Sequence, residues 1–174
     1  MTKNAYFAGG CFWCIAPAFS SFEGVRNVTA GYSGGEEERP AYEEVKAQKT
    51  GHRETVRVEY DPSAVSYGEL LDLFLGQVDP FDGEGQFIDR GHSYTLAVYP
   101  ENESERTAAE KKIRALEERA GKKVFVSVED FRSFWTAEEE HQDYYLKHPE
   151  EYQRELEISG RTTPPSGGNA DRRK

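Results

Sequence analysis

The chain has 174 residues, enough for one hydrophobic core, and its size fits a single domain. Its 22 Lys and Arg against 32 Asp and Glu leave a net charge of −10, which sets phosphate backbones, and so nucleic acid, aside as partners. No apolar run approaches the ~20 residues of a membrane span, and "MTKNAYFAGGCFWC" lacks the charged start, unbroken apolar core and small-x-small cleavage site of a signal peptide, so a cytoplasmic protein is expected.

In chain order, residues 6–8 form a short apolar strand running into Gly9-Gly10. From Cys11 the spacing of Ile15, Ala18, Phe19 and Phe22 predicts a helix, with Pro17 admissible only in its first turn. Residues 25–32 read as a strand with Val28 and Ala30 on one face, and the loop "GYSGGEEERPAYEEV" ends in a helical turn at 42–45. The stretch "ETVRVEY", 54–60, alternates: Thr55, Arg57 and Glu59 point one way, Glu54, Val56, Val58 and Tyr60 the other. Asp61-Pro62 ends that strand. Ser66 and Glu69 form the capping box of a helix with Leu70, Leu71, Phe74, Leu75 and Val78 on one face.

"DPFDGEGQFIDRGH" is a loop long enough to carry function. "SYTLAVY" alternates again, which sets Tyr94 on a strand face with Leu96 and Val98. Residues 102–120 predict an amphipathic helix through Ala109, Ile113, Leu116 and Ala120, stopped by Gly121. "KVFVSVE" is a further strand, and 134–158, aromatic and charged, predicts one or two helices on the surface. The end, "SGRTTPPSGGNADRRK", has almost nothing to bury and is expected to be disordered, so the domain is drawn at 1–158 and the tail at 159–174. Strands and helices mix without a strict βα alternation. The predicted fold class is α+β: a single domain with a mixed, mostly antiparallel sheet and helices packed on it as a two-layer sandwich. Nothing demands more than a monomer.

The only two cysteines, Cys11 and Cys14, enclose a Phe-Trp pair directly behind two glycines. In a reducing compartment such a pair is reactive or metal-binding rather than a staple, and the loop it closes is too short to constrain the unfolded chain. A helix N-terminus offers unpaired N–H groups and the positive end of the dipole, so Cys11 is expected to favour the thiolate. Cys14 lies one helical turn on, within reach of a strained disulfide, which makes Cys11 the attacking and Cys14 the resolving cysteine. None of His52, His92, His141 and His148 has a partner at zinc-finger spacing, and no metal is expected.

Glu54 shares its face with Val56, Val58 and Tyr60. Burial there would raise its pKa and make it a proton donor near neutrality, whereas a frayed strand end would turn it into water, and the pattern leaves both open. Tyr94 carries a hydroxyl that needs a partner if buried. Asp89 reads as a turn former and Glu36–Glu38 as a solvated loop. "DGEGQFID" is no EF-hand, since Phe87 stands where that loop needs glycine. Met1 is the only methionine, so the chain has no internal thioether to oxidise.

"GGCFWC", "GYSGG", "AYEEV", "TGHRE", "YDPSAVSYGELLDLF", "GQFIDRG" and "EEEHQDYY", in that order from about Tyr6 to Tyr152, resemble the peptide methionine sulfoxide reductase A family. The resemblance implies a substrate, the S-epimer of methionine sulfoxide, free or in a peptide. It implies that Cys11 is the nucleophile at the sulfoxide sulfur, Glu54 the acid that protonates the oxygen, Tyr42 and Tyr94 the hydroxyls that hold that oxygen, and Asp89 a supporting carboxylate. Phe12 and Trp13 would be the aromatic wall for the methyl group. Cys11 would emerge as a sulfenic acid, Cys14 would close a Cys11–Cys14 disulfide, and a thioredoxin-like dithiol would reduce it, with no metal or organic cofactor. The chain departs from the family in two places. It has no further cysteine near the C-terminus, and Ser93 and Thr95 flank Tyr94 where the family commonly has Gln and Arg. Two other readings stand beside this one: a general CxxC dithiol–disulfide oxidoreductase, which has no need of Glu54 or the tyrosines and lacks its usual βαβ setting here, and a non-catalytic module binding peptides on its aromatic surface, which would survive loss of Cys11.

Overall fold

β1 (Lys3–Gly9) is buried on both faces, because Ala5 and Phe7 point into the main core while Tyr6 and Ala8 enter a smaller cluster with Ala97 and Tyr99. In the computed structural model, which describes residues 1–159, this strand lies near the middle of a six-stranded sheet. It runs antiparallel to β3 (Arg53–Tyr60), with Phe7 opposite Val56, and antiparallel to β6 (Leu96–Val98) on its other side. β2 (Val25–Ser33) pairs antiparallel with β3, setting Tyr32 opposite Glu54. The edges are β7 (Val126–Val128), parallel to β6, and β8 (Trp135–Thr136), antiparallel to β2. The order β7-β6-β1-β3-β2-β8 is therefore the mixed, mostly antiparallel sheet expected.

Helices α1 (Phe12–Ser20), α3 (Tyr67–Gln77) and α4 (Glu103–Ala120) cover one face and supply Ile15, Phe19, Leu70, Leu71, Phe74 and Ala109 to the core. Phe7 anchors this layer, its ring stacked on Phe19 at 5.2 Å and on Phe74 at 5.1 Å. Such rings bury the largest apolar areas available to a side chain. On the other face Phe131 stacks on Tyr6 at 4.1 Å. The short α2 (Tyr42–Lys46) precedes β3, and α5 (Tyr144–Lys147) and α6 (Pro149–Ser159) complete the described chain. The capping box at Ser66 and Glu69 and the left-handed stop at Gly121 (φ 65°) fall at the predicted positions. The expected tail lies outside the described residues, except Ser159 at the end of α6. Among the described residues no helix is long and apolar enough to cross a membrane.

Within the fold, the structure corrects the sequence reading at Pro17, at Tyr94, in the loop after α3 and at Trp135–Thr136. Pro17 is the sixth residue of α1 rather than in its first turn; packing of Ile15, Ala18 and Phe19 outweighs the missing N–H in so short a helix. Tyr94 does not share the β6 face, because Gly91, at φ 115°, starts a 3-10 turn at His92–Tyr94 and the strand begins only at Leu96. The loop after α3 contains a small hairpin, β4 (Gly85–Gln86) and β5 (Asp89–Arg90). Trp135–Thr136, read as part of the helical surface, is an edge strand closing on Gly31 and Tyr32.

Candidate active site

The turn from β1 into α1 places Cys11 as the cap of the helix. Gly10 adopts φ 87°, a conformation L side chains rarely take, and a Cβ on Gly9 would press within 3.1 Å of Ile15, Phe74 and Val78. Cys14 follows one turn later, its N–H donating to the Cys11 carbonyl at 3.0 Å, and both cysteines are buried with no disulfide between them. The expected thiolate is not what this geometry favours. The Cys14 thiol hydrogen-bonded to it, then burial, then the negative charge of Glu54 and Asp89, push the Cys11 thiol well above its ordinary range. The Phe12 N–H, which opens the helix, goes to Glu54 rather than to sulfur.

Glu54 does not fray into water. It is 1% exposed, directed to the core face by the β3 alternation, and its Oε1 accepts the Phe12 N–H at 3.1 Å, while Oε2 is buried with no hydrogen-bond partner. Burial, reinforced by the charges of Asp89 and Cys14 and opposed by the Phe12 N–H, raises its pKa to about 8, so the carboxyl holds its proton at neutral pH.

Tyr42 opens α2 and Tyr94 ends the 3-10 turn. Both phenols are pushed far above their ordinary range, first by burial and then by Glu54, so both remain O–H donors. Asp89, half-buried in β5, raises the pKa of Cys11, Glu54, Tyr42 and Tyr94 alike, which locates its charge at the same site. Cys11, Cys14, Glu54, Tyr42, Tyr94 and Asp89 thus converge from α1, β3, α2, the 3-10 turn and β5. Phe12 is fully buried and backs the aromatic wall, whereas half-buried Trp13 fronts it, stacked on Tyr144 at 4.0 Å.

Several residues at the site carried no signal in their spacing. Glu138 accepts the Tyr32 hydroxyl at 2.8 Å through Oε1 and the Tyr42 N–H at 3.0 Å through Oε2, fixing the start of α2. His141, 7% exposed, packs its ring on Tyr42 at 4.2 Å and on Trp13 at 5.5 Å, and burial lowers its pKa, so it is a neutral ring in the wall. The run "EEEHQDYY" marked this segment only as a match to known sequences, since its charges and aromatics have no period that would aim them inward. No group of three His, Cys, Asp or Glu among the described residues is arranged to hold a metal ion.

The family model described as peptide methionine sulfoxide reductase matches residues 3–164. The peptide methionine sulfoxide reductase MsrA of Ligilactobacillus salivarius (strain UCC118) is 44% identical over 164 residues, covering 92% of this chain and 95% of that protein. MsrA 1 of Lactococcus lactis subsp. lactis (strain IL1403) is 44% identical over 154 residues, covering 87% and 84%. Among solved structures, reduced Mxr1 from Saccharomyces cerevisiae superposes with a TM-score of 0.81 at 26% identity, covering 86% of this chain and 87% of that one.

Proposed function

The chain belongs to the peptide methionine sulfoxide reductase family and is an oxidoreductase acting on methionine sulfoxide; we propose that Cys11 attacks the sulfoxide sulfur while Glu54 protonates the oxygen. The observation that carries this reading is Glu54, buried, tied to the amide beside Cys11, and protonated up to about pH 8. A general dithiol exchanger or a peptide-binding module has no use for such a proton.

As the S–S bond to Cys11 forms, the Glu54 proton passes to the sulfoxide oxygen and the thiol proton of Cys11 replaces it on the carboxylate. The hydroxyl then moves from the substrate sulfur to the Cys11 sulfur, and the S–O bond and the newly made S–S bond both break. An electron pair returns to the substrate sulfur, and methionine leaves with Cys11 as a sulfenic acid. Tyr42 and Tyr94 donate to the oxygen as its charge grows, in a site where burial strengthens both bonds. Asp89 disfavours ionisation of Glu54 and so supports its acid form. Trp13, backed by Phe12 and by Tyr144, takes the methyl group, and this division between an apolar wall and a polar grip selects the S-epimer. Cys14 then attacks the Cys11 sulfur, water leaves, and a Cys11–Cys14 disulfide results. A thioredoxin-like dithiol restores both thiols by exchange, becoming oxidised itself. This cycle needs a reducing compartment, in keeping with a cytoplasmic, monomeric enzyme whose catalytic domain is 1–158.

The test is epimer-resolved reduction of N-acetyl-methionine sulfoxide with dithiothreitol. Wild type should consume only the S-epimer, and Cys11→Ser neither. Consumption of both epimers, or an active Cys11→Ser enzyme, would overturn the reading.

A further inference from the structure

The segment that joins Tyr42 to Glu54 also grips the turn carrying Tyr94. Gln48, just past α2 at φ 62°, donates from Nε2 to the Ser93 hydroxyl at 2.7 Å and to the Lys46 carbonyl at 3.1 Å, and its Oε1 accepts the Ser93 N–H at 3.0 Å. The approach depends on Gly91, where a Cβ would stand 2.6 Å from the Gln48 amide carbon. His92 adds a bond of 2.9 Å from Nε2 to the Gly51 carbonyl. On the other side, Arg53 donates from Nε to the Thr95 hydroxyl at 2.8 Å, and that hydroxyl in turn donates to the His92 carbonyl at 2.7 Å, closing the turn. Arg53 is itself immobilised, donating from Nη1 to Glu129 at 2.7 Å and to the Tyr99 hydroxyl at 3.1 Å. The Ser127 hydroxyl holds the same Glu129 oxygen at 2.8 Å.

We propose that Gln48 and Arg53 are positioning residues for the reduction, fixing the Tyr94 hydroxyl relative to Glu54, Gln48 through Ser93 and Arg53 through Thr95. The two neighbours of Tyr94 have short hydroxyl side chains, and an amide and a guanidinium from 48 and 53 reach across to each of them. The strand that aims Glu54 into the core face sends Arg53 to the opposite one, so a single backbone fixes the acid on one side and the tyrosine turn on the other. A hydroxyl that must meet a developing charge loses most of its effect when displaced by an ångström. The inference rests on the proposed role of Tyr94.

The experiment measures methionine formation in a single turnover against the concentration of N-acetyl-methionine-S-sulfoxide, in wild type, Gln48→Ala, Tyr94→Phe and the double variant. Gln48 lies at the surface, and its truncation leaves the core intact. Gln48→Ala should lower the saturating rate about tenfold, with the half-saturating concentration changed less than about twofold. On the Tyr94→Phe background the same change should cost less than about twofold, because the group it positions is gone. Thr95→Val, which cuts the Arg53 link but keeps the Arg53–Glu129 pair, should behave in the same way. A Tyr94→Phe enzyme at the wild-type rate would remove Tyr94 from the reaction and this inference with it. An impaired Tyr94→Phe enzyme, with Gln48→Ala either at the wild-type rate or still costing tenfold on that background, would overturn the positioning role alone.

Discussion

Glu54 and Cys11 both stand in their neutral forms before substrate arrives, the first because burial outweighs its one N–H bond, the second because Cys14 and burial disfavour its thiolate. A buried acid and a buried thiol in one pocket can exchange a proton only when something between them accepts it, and the sulfoxide oxygen is that acceptor. Glu54 donates only while protonated, so the single-turnover rate should decline as pH rises through about 8. Glu54→Gln should slow the step by about 10²–10⁴ and erase that decline. The same decline in the variant would assign it to another group. The inward aim of Glu54 was half legible: alternation with Val56 and Val58 set its face, but only the closure of Tyr32 opposite it shows that the strand end is sealed. The thiolate expected for Cys11 is not favoured because the Cys14 thiol and burial hold the proton on its sulfur, and the helix's first amide, committed to Glu54, gives no hydrogen bond to offset them.

At the scale of elements, the reliable signals were those written locally. The capping box at Ser66, the Gly121 stop and the alternation of β3 each depend on neighbours within a few residues, and each appears where predicted. Ser66→Ala removes the acceptor of the Glu69 N–H and should cost about 1 kcal/mol in urea unfolding, leaving single-turnover rates unchanged, since α3 contributes no group to the site. What local pattern missed was decided by distant partners. Tyr94 alternates with Leu96 and Val98 in the sequence, yet Gln48 and Arg53 pull its flanks into a turn. Trp135–Thr136 becomes a strand only because β2 offers an open edge. Glu138 and His141 reach the site because the segment after β8 folds back over α2, a path that no periodicity encodes.

Over the whole molecule, a buried acid costs stability in proportion to the work of keeping it dry. The folded state holds the Glu54 proton up to about pH 8, whereas an unfolded chain releases it near the ordinary 4.5. Between those values the folded chain binds the extra proton, so the contribution of Glu54 to stability is greatest below pH 4.5 and is lost as pH rises through 8. Glu54→Gln, which keeps an acceptor for the Phe12 N–H without the charge, should therefore unfold at higher denaturant than wild type. The gain should grow from near zero at the acid end to on the order of 4 kcal/mol at pH 8. A variant equally stable at every pH would mean that the carboxyl is not sealed. The same sheet that seals Glu54 sets Cys11 and Cys14 beside it. The most direct measurement follows from that union: methionine formed and thiols lost when each chain meets excess N-acetyl-methionine-S-sulfoxide without added reductant. Wild type should release one methionine and lose both thiols, Cys14→Ser should release one and leave a Cys11 sulfenic acid that dimedone traps, and Cys11→Ser should release none. Methionine from Cys11→Ser, or a wild-type turnover that spares both thiols, would contradict the account.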